Sequence, residues 1–240
     1  MGSLFSVDGH LYKFINRLVD MFKLNMMWLL CSLPIVTMGA ATTAAYTITL
    51  KMVNEEEGYI AGPFWKEFKA NIKKGSIIGV IFLVALYAIY LDFQLFQVAE
   101  KHNIMFLIVG VIAIYLLFMH TVYAFPLLAR YENSVINTMQ NSYSIAAKFL
   151  GKTFFLALIL LVELAIIFWN LTTMFVGLLF GPACIFLTIS GFASSFFKVI
   201  EQENDMVEEE SESDDEEMDE ATEDEFVEDD SDDEESENEE

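Results

Sequence analysis

The sequence predicts an all-α fold, namely a polytopic membrane helix bundle of about five hydrophobic segments with a disordered acidic C-terminal tail. Hydrophobic residues make up 55% of the 240 residues, and the mean hydropathy is positive, which is typical of an integral membrane protein. The net charge of −23 does not contradict this, because residues 201–240 hold 26 of the 36 acids and no Lys or Arg. The charge and the apolar sequence therefore occupy different parts of the chain.

Four further membrane spans are predicted within residues 75–198, after a first segment at 24–50. Runs of low charge cover 75–99, 103–129 and 153–197. The last run would be ~67 Å long as one helix, more than twice the ~30 Å hydrocarbon core of a bilayer. We therefore expect it to fold back near residues 169–173, where Trp, Asn and Thr suit the headgroup level.

The first membrane segment, residues 24–50, carries no charge but contains Pro34 and Gly39. It is either one kinked, tilted crossing helix or a re-entrant hairpin that bends at residues 34–39. The hairpin gives the stronger bias of Lys and Arg to one side, twelve against one instead of nine against four. We prefer the crossing, because 27 residues suit one tilted helix and threonines can satisfy the carbonyls that a proline leaves free.

Amphipathic segments flank this first membrane segment. Residues 1–23 and the basic loop 51–74 combine apolar residues at helical spacing with Lys and Arg, and 130–152 shows a similar pattern with Asn and Ser. Each is predicted to form a helix that lies at the membrane surface or packs on the rest of the protein. The bias of basic residues places these segments and the C-terminal tail in the cytoplasm.

The acidic tail, residues 201–240, has no apolar periodicity, so we expect it to be disordered. One interpretation is a solvated tail without a partner. The other is electrostatic contact with a basic partner, or with the lysine-rich helices of the same chain.

The proline and glycine of the first segment belong to a candidate broken-helix motif that comprises Pro34, Thr37, Gly39, Thr42 and Thr43. In transporters such a break exposes backbone groups to a ligand. The same composition is also typical of a kinked helix that packs closely through small residues, and we prefer this interpretation.

Three ionisable residues stand out within the predicted spans. His120 and Glu163 lie 10 and 11 residues from the basic residues Arg130 and Lys152, which places both at ~15–17 Å depth and makes them a candidate intramembrane polar pair. The alternative is a neutral Glu163 that is hydrogen-bonded to a tyrosine or serine. Asp92 lies 18 residues beyond Lys74 and is expected at the outer interface.

Several classes of function are disfavoured. The chain has no Walker loop, HExxH or GxSxG motif, so we do not expect an enzyme or a cofactor. Cys31 and Cys184 lie in apolar runs without metal-ligand spacing, so no metal site is predicted. The bases are scattered and the largest charge block is acidic, which argues against a nucleic-acid partner. The partner that the sequence does predict is the lipid bilayer.

One specific block is Leu-Pro-Ile-Val-Thr at 33–37 with its surroundings at 28–44, and weaker blocks lie at 11–18, 56–59, 64–75 and 125–131. Through these blocks the sequence resembles the YesL-like family of bacterial integral membrane proteins, a domain of unknown function. It implies a multi-pass protein of the bacterial cell membrane whose genes often lie near carbohydrate-uptake systems. We therefore expect an accessory or regulatory component that binds a carbohydrate transporter. The alternative is a small transporter or channel in its own right.

Overall fold

The computed structural model describes residues 10–56, 58–98 and 104–232, with side chains as far as Met206. These residues form eight α-helices and no strand, which confirms the predicted all-α fold. The helices are α1 His10–Ser32, α2 Met38–Val53, α3 Ala61–Ala70, α4 Ile72–Val98, α5 Ile104–Arg130, α6 Val135–Lys148, α7 Leu150–Ile167 and α8 Leu171–Asp232. A 3-10 turn at Ile35–Thr37 connects α1 to α2.

Four helices are long and apolar enough to cross a membrane: α4, α5, α7 and the Leu171–Met206 part of α8. They correspond in number and position to the four spans expected between residues 75 and 198. The chain folds back between α7 and α8, where Asn170 Oδ1 accepts a hydrogen bond from the Thr173 backbone N–H at 2.9 Å. The Thr173 hydroxyl oxygen accepts one from the Asn170 N–H at 3.0 Å. This reciprocal cap satisfies donors that the start of α8 leaves free.

The first membrane segment is not one crossing helix, and the preferred interpretation of residues 24–50 is corrected here. Two bonds show that α1 and α2 run antiparallel: Arg17 Nη2 donates to the carbonyl of Met52, and Trp28 Nε1 donates to Thr42 Oγ1 at 3.1 Å. The helix ends before Pro34 because proline disfavours helical backbone in the residue before it. The segment is therefore a helical hairpin with its bend at residues 33–37.

The second arm of the hairpin, α2, lies at the centre of the fold. All twelve residues from 39 to 50 are buried, and α2 contacts α1, α3, α4 and α5. A helix that is apolar around its whole circumference is typically buried on all sides. The expectation of a crossing helix rested on the length of the segment. Length carries no information about the neighbouring helices that cover every face of α2.

Basic residues gather where α2 ends, α4 begins and α5 ends. The Thr47 hydroxyl donates to the Ala129 carbonyl at 3.4 Å, which places the last turns of α2 and α5 side by side. Lys51, Lys73, Lys74 and Arg130 lie at these helix ends. We call this the basic end of the bundle, and we call residues 84–98 of α4 with 104–116 of α5 the far end.

Two amphipathic helices form as expected. In α3 the ring of Phe64 is fully buried and stacks on Phe68, while Lys66 and Lys69 are exposed. In α6 the Ser134 hydroxyl accepts a hydrogen bond from the Asn137 N–H at 3.2 Å and caps the helix. Both helices have buried residues, so packing on the protein contributes to their placement.

The chain divides into two compact units, residues 1–194 and 195–240. The backbone of the second unit is helical as far as Asp232, whereas the sequence favoured disorder from residue 201. Extending an existing helix costs far less than nucleating one, and Glu, Met and Ala are good helix formers. Residues 233–240 of the tail lie outside the part that the structure describes.

Candidate functional site

The start of α2 crosses α4 at a contact between glycines. A Cβ atom added to Gly39 would lie 2.0 Å from the carbonyl oxygen of Gly75 and 2.8 Å from Cα of Gly79. Gly75 and Gly79 are four residues apart, which is the GxxxG spacing that lets membrane helices approach closely. The GxxxG spacing in the sequence could have predicted this contact, although only Gly39 was among the predicted site residues.

The threonines of the candidate broken-helix motif bond to their own neighbourhood. Thr37 Oγ1 donates to the carbonyls of Cys31 at 2.8 Å and Pro34 at 2.9 Å, so it closes the bend. Thr43 Oγ1 donates to the Gly39 carbonyl at 3.0 Å, and Thr42 accepts from Trp28. The hydroxyl groups therefore stabilise the hairpin. Close packing through small residues is present at Gly39, but the chain turns back instead of continuing as the kinked helix that we preferred.

Beyond the motif, two hydroxyl contacts join α2 to α8 within the first unit. Thr49 and Ser190 place their side-chain oxygens 2.7 Å apart, and the Ser194 hydroxyl donates to Asn54 Oδ1 at 3.0 Å. Both contacts lie between residues that differ by about 140 in number, so α2 and this part of α8 run parallel. Hydrogen bonds of this kind are a main source of association between helices in lipid.

A small cavity of about 130 Å³ lies beside the glycine contact. Its walls are mainly aromatic and aliphatic, and Thr42, Tyr46 and Thr121 are the hydroxyl-bearing residues among them. The rings of Trp28 and Tyr46 pack on Phe186 with centroid distances of 5.4 and 5.0 Å. A polar ligand would find few partners here, so the cavity offers no evident binding site for one.

The candidate pair His120 and Glu163 is not joined by a hydrogen bond or an ion pair in the described structure. Glu163 Oε1 accepts a hydrogen bond from Thr188 Oγ1 at 2.5 Å, so its partner is a hydroxyl on α8. The second carboxylate oxygen of Glu163 and both ring nitrogens of His120 are buried and find no partner. The hydroxyl-bonded alternative agrees better with this geometry, with a threonine in place of the expected tyrosine or serine.

Asp92 lies in a cleft between α4 and α5 at the far end. The cleft has a volume of about 660 Å³ and is lined almost entirely by apolar side chains. Its carboxylate rests on the backbone of α5, since a Cβ atom on Gly110 would lie 2.7 Å from Asp92 Oδ2. Asp92 is six residues from the end of α4, and its position at the outer interface of the membrane stays a prediction.

A second, charged cleft of about 980 Å³ at the basic end was not anticipated from the sequence. It lies between the first half of α1, the end of α2 and the start of α3, and its charged residues are Lys13, Arg17, Asp20, Lys51, Glu55 and Glu56. Glu55 has a φ of 58°, a left-handed conformation that costs energy in a residue with a side chain. Asp20 is already paired with Lys23 at 3.3 Å.

The part of the chain described here contains no group of three His, Cys, Asp or Glu side chains that could hold a metal ion. Cys31 and Cys184 are both free thiols. The described residues offer four candidate sites, namely the core of the hairpin, the hydroxyl-bonded Glu163, the Asp92 cleft and the charged cleft.

Comparison with known proteins identifies one region. A family model described as "Protein of unknown function, DUF624" matches residues 21–93. These residues cover the end of α1, the bend, α2, α3 and most of α4. No curated protein and no solved structure matches the chain. Residues 21–93 are therefore similar to the DUF624 family, the YesL-like membrane proteins of unknown function.

Proposed function

We propose that this protein is an accessory or regulatory component associated with carbohydrate uptake, which binds a transporter through its spans and its basic helices. The link to carbohydrate uptake rests on the family resemblance described for the sequence. The case for an accessory protein rests on the structure, and its main support is the closed core around α2.

The closed core argues against a transport path through the hairpin. The hydroxyl groups of Thr37, Thr43 and Thr49 are bonded to nearby carbonyls or to Ser190. The cavity beside them is small and mostly apolar. A transported sugar needs polar groups that point into a passage, whereas these groups bond within the protein.

The long helices offer surface to a partner. Only 11% of the most apolar window of α4, and of α5, is buried within the chain. Lipid covers such faces by default, and the helices of a partner can replace the lipid through close packing and interhelical bonds. At the basic end, exposed Trp65 and the lysines of α3 suit the headgroup region or an acidic cytoplasmic partner.

The proposed location is the bacterial cell membrane, with four crossings, one re-entrant hairpin and a cytoplasmic tail. Because α1 and α2 form a hairpin, residues on the N-terminal side of α1 lie on the same side as Lys51. Twelve of the 13 bases then fall on one side and Lys101 on the other. Such a bias is typical of the cytoplasmic side.

Cysteine labelling from outside the cell tests this topology, in a background where Cys31 and Cys184 are replaced by alanine. We expect Lys101→Cys to react with an impermeant maleimide and Ser6→Cys and Ser211→Cys to remain unlabelled until the cells are opened. Labelling of Ser6→Cys in intact cells would show that the hairpin crosses. Labelling of Ser211→Cys would reverse the orientation.

Purification of the tagged chain from its native host in mild detergent tests the partner. We expect a carbohydrate transporter subunit to co-purify in a stoichiometric amount. Lys66→Glu combined with Lys69→Glu should reduce its recovery, whereas Lys23→Glu, a single charge reversal on α1 at a lysine paired with Asp20, should not. A chain that purifies alone would contradict the accessory function.

The alternative, a transporter or channel, is favoured by the unpartnered buried atoms of His120 and Glu163. Polar atoms without partners in a membrane helix often mark an ion or proton path. This alternative predicts that the purified chain alone moves a substrate into liposomes and that Glu163→Gln abolishes the movement. The accessory function predicts no flux from the chain alone.

A further inference from the structure

We propose that the cleft between α4 and α5 at the far end binds a single-chain hydrophobic amine, with its ammonium group against Asp92 and its hydrocarbon chain along the cleft. The cleft lies on the two helices, α4 and α5, whose exposed faces were proposed to contact a transporter, but binding of an amine does not depend on that function.

The shape of the cleft favours a slender ligand. Its lining on α4 extends from Leu83 to Phe96, which is ~20 Å of helix. The volume of about 660 Å³ is spread along that length, so the cleft is elongated. This shape suits a single hydrocarbon chain.

The carboxylate is positioned for a cation inside the cleft, about one helical turn from the limit of the lining at Phe96. Asp92 is partly buried and makes no hydrogen bond or ion pair with any residue that the structure describes. A charged carboxylate among apolar side chains in a membrane helix is unfavourable until a cation pairs with it. Gly110 contributes by leaving room for Oδ2 on the surface of α5.

The aromatic residues around Asp92 add to the selectivity for a cation. Tyr87 and Tyr90 stack with a centroid distance of 6.3 Å, and Phe93, Phe96 and Phe106 also line the cleft. The faces of such rings attract ammonium groups. Asp92 is closer to the helix end than Leu83, so the head would lie near the water and the chain would extend toward the middle of the membrane.

The test uses the full chain in phosphatidylcholine vesicles with three spin-labelled 18-carbon probes: an amine, the corresponding alcohol and the corresponding carboxylic acid. Electron spin resonance measures the fraction of each probe that the protein immobilises. We expect the amine to associate about fivefold more strongly than the alcohol, as for one weak ion pair, and the acid to associate less strongly than the alcohol.

Four variants make the test specific. Asp92→Asn should reduce the preference for the amine to less than about twofold, and Gly110→Ala should do the same because its methyl group displaces the carboxylate. Glu163→Gln removes an intramembrane acid elsewhere and should leave the preference unchanged. Lys101 is the single base between Lys74 and Arg130, and it lies outside the described residues. Lys101→Gln tests whether this lysine pairs with Asp92.

Two results would overturn the proposal. One is equal association of the amine and the alcohol with the wild-type chain. The proposal is also wrong if only Lys101→Gln prefers the amine, because Asp92 would then pair with Lys101 of the same chain. The other is a preference that survives both Asp92→Asn and Gly110→Ala. Two variants at the site ensure that a folding defect in one still leaves a decisive measurement.

Discussion

Helix α2 and the far-end half of α4 each contain one charged residue. Even so, α2 is buried on every side, whereas the far-end half of α4 is mostly exposed. α2 is built from Gly, Ala and Thr with few large residues, and its residues 39–50 are all buried. The far end of α4 carries large side chains such as Val84 and Tyr87, both 62% exposed. Lipid is as apolar as leucine, so hydrophobicity does not drive a membrane helix into a protein core. Small residues and hydroxyl groups do, because they permit close backbone contact and bonds between helices.

The largest effect is expected at the glycine contact. Gly39→Leu would place side-chain atoms where the Gly75 carbonyl and the Gly79 backbone now lie, and backbone cannot move aside as a flexible side chain can. We expect a loss of more than about 3 kcal/mol in the free energy of unfolding, measured by denaturation in detergent. Gly62→Ala is the matched control, since nothing lies within 4 Å of its new methyl group. Equal stability of the two variants would contradict the close contact of α2 with α4.

The next effect concerns Glu163 and Thr188. A double-mutant cycle with Glu163→Leu and Thr188→Val should give a coupling energy of about 0.5–1.7 kcal/mol, the range of hydrogen bonds between membrane helices. The parallel cycle of Glu163→Leu with His120→Phe should be additive within about 0.5 kcal/mol, because no bond joins them. Coupling in the second cycle and not in the first would restore the pair expected from the sequence.

Thr49 and Ser190 test whether hydroxyl bonds hold α2 in the core. The single variant Thr49→Val, which keeps the shape of the side chain, should lower the unfolding free energy by about 1 kcal/mol. A cycle with Ser190→Ala should show coupling of about 0.6 kcal/mol, the average for such bonds in membranes. Thr172→Val is an exposed control beside the turn between α7 and α8. Strict additivity would mean that small size alone, without the hydroxyl contact, explains the burial of α2.

The smallest effect is expected at the far end. Val84→Ala removes two methyl groups from a side chain that is 62% exposed, so the change in the free energy of unfolding should be below about 0.5 kcal/mol. The comparison is Ile78→Ala on the same helix, which is fully buried and should cost about 2–5 kcal/mol. A large loss for Val84→Ala would show that this face is covered in the assembled protein, by a second copy or a partner.

Much of the fold follows from the sequence. Run length and charge predict the four long helices, and the limit on span length predicts the turn beside Asn170. Helical spacing of apolar and basic residues predicts α3. These features depend on local pattern and on the thickness of a bilayer, which a single sequence contains.

The hairpin and the candidate sites could be predicted only in part. Pro34 and Gly39 mark a break, but whether the chain returns depends on partners for α2 at Gly75, Gly79 and Ala129, which are distant in sequence. Depth placed His120 and Glu163 at one level, yet depth says nothing about which face of a helix a side chain occupies. The charged cleft combines residues from three elements, so no single stretch indicated it.

The antiparallel hairpin also affects how the protein is made. In the topology proposed above, α1 and α2 return to the side of entry, so two short connections are the parts of the chain that have to be carried through the bilayer during synthesis. The two connections that must pass through are residues 99–103 and 168–170, and only Glu100 and Lys101 in them are charged at neutral pH besides the adjacent, titratable His102. Each connection can cross the bilayer together with the two helices that flank it, because a pair of apolar segments inserts as a unit. In that topology the cost of moving charge across hydrocarbon is confined to the connection that contains Glu100 and Lys101.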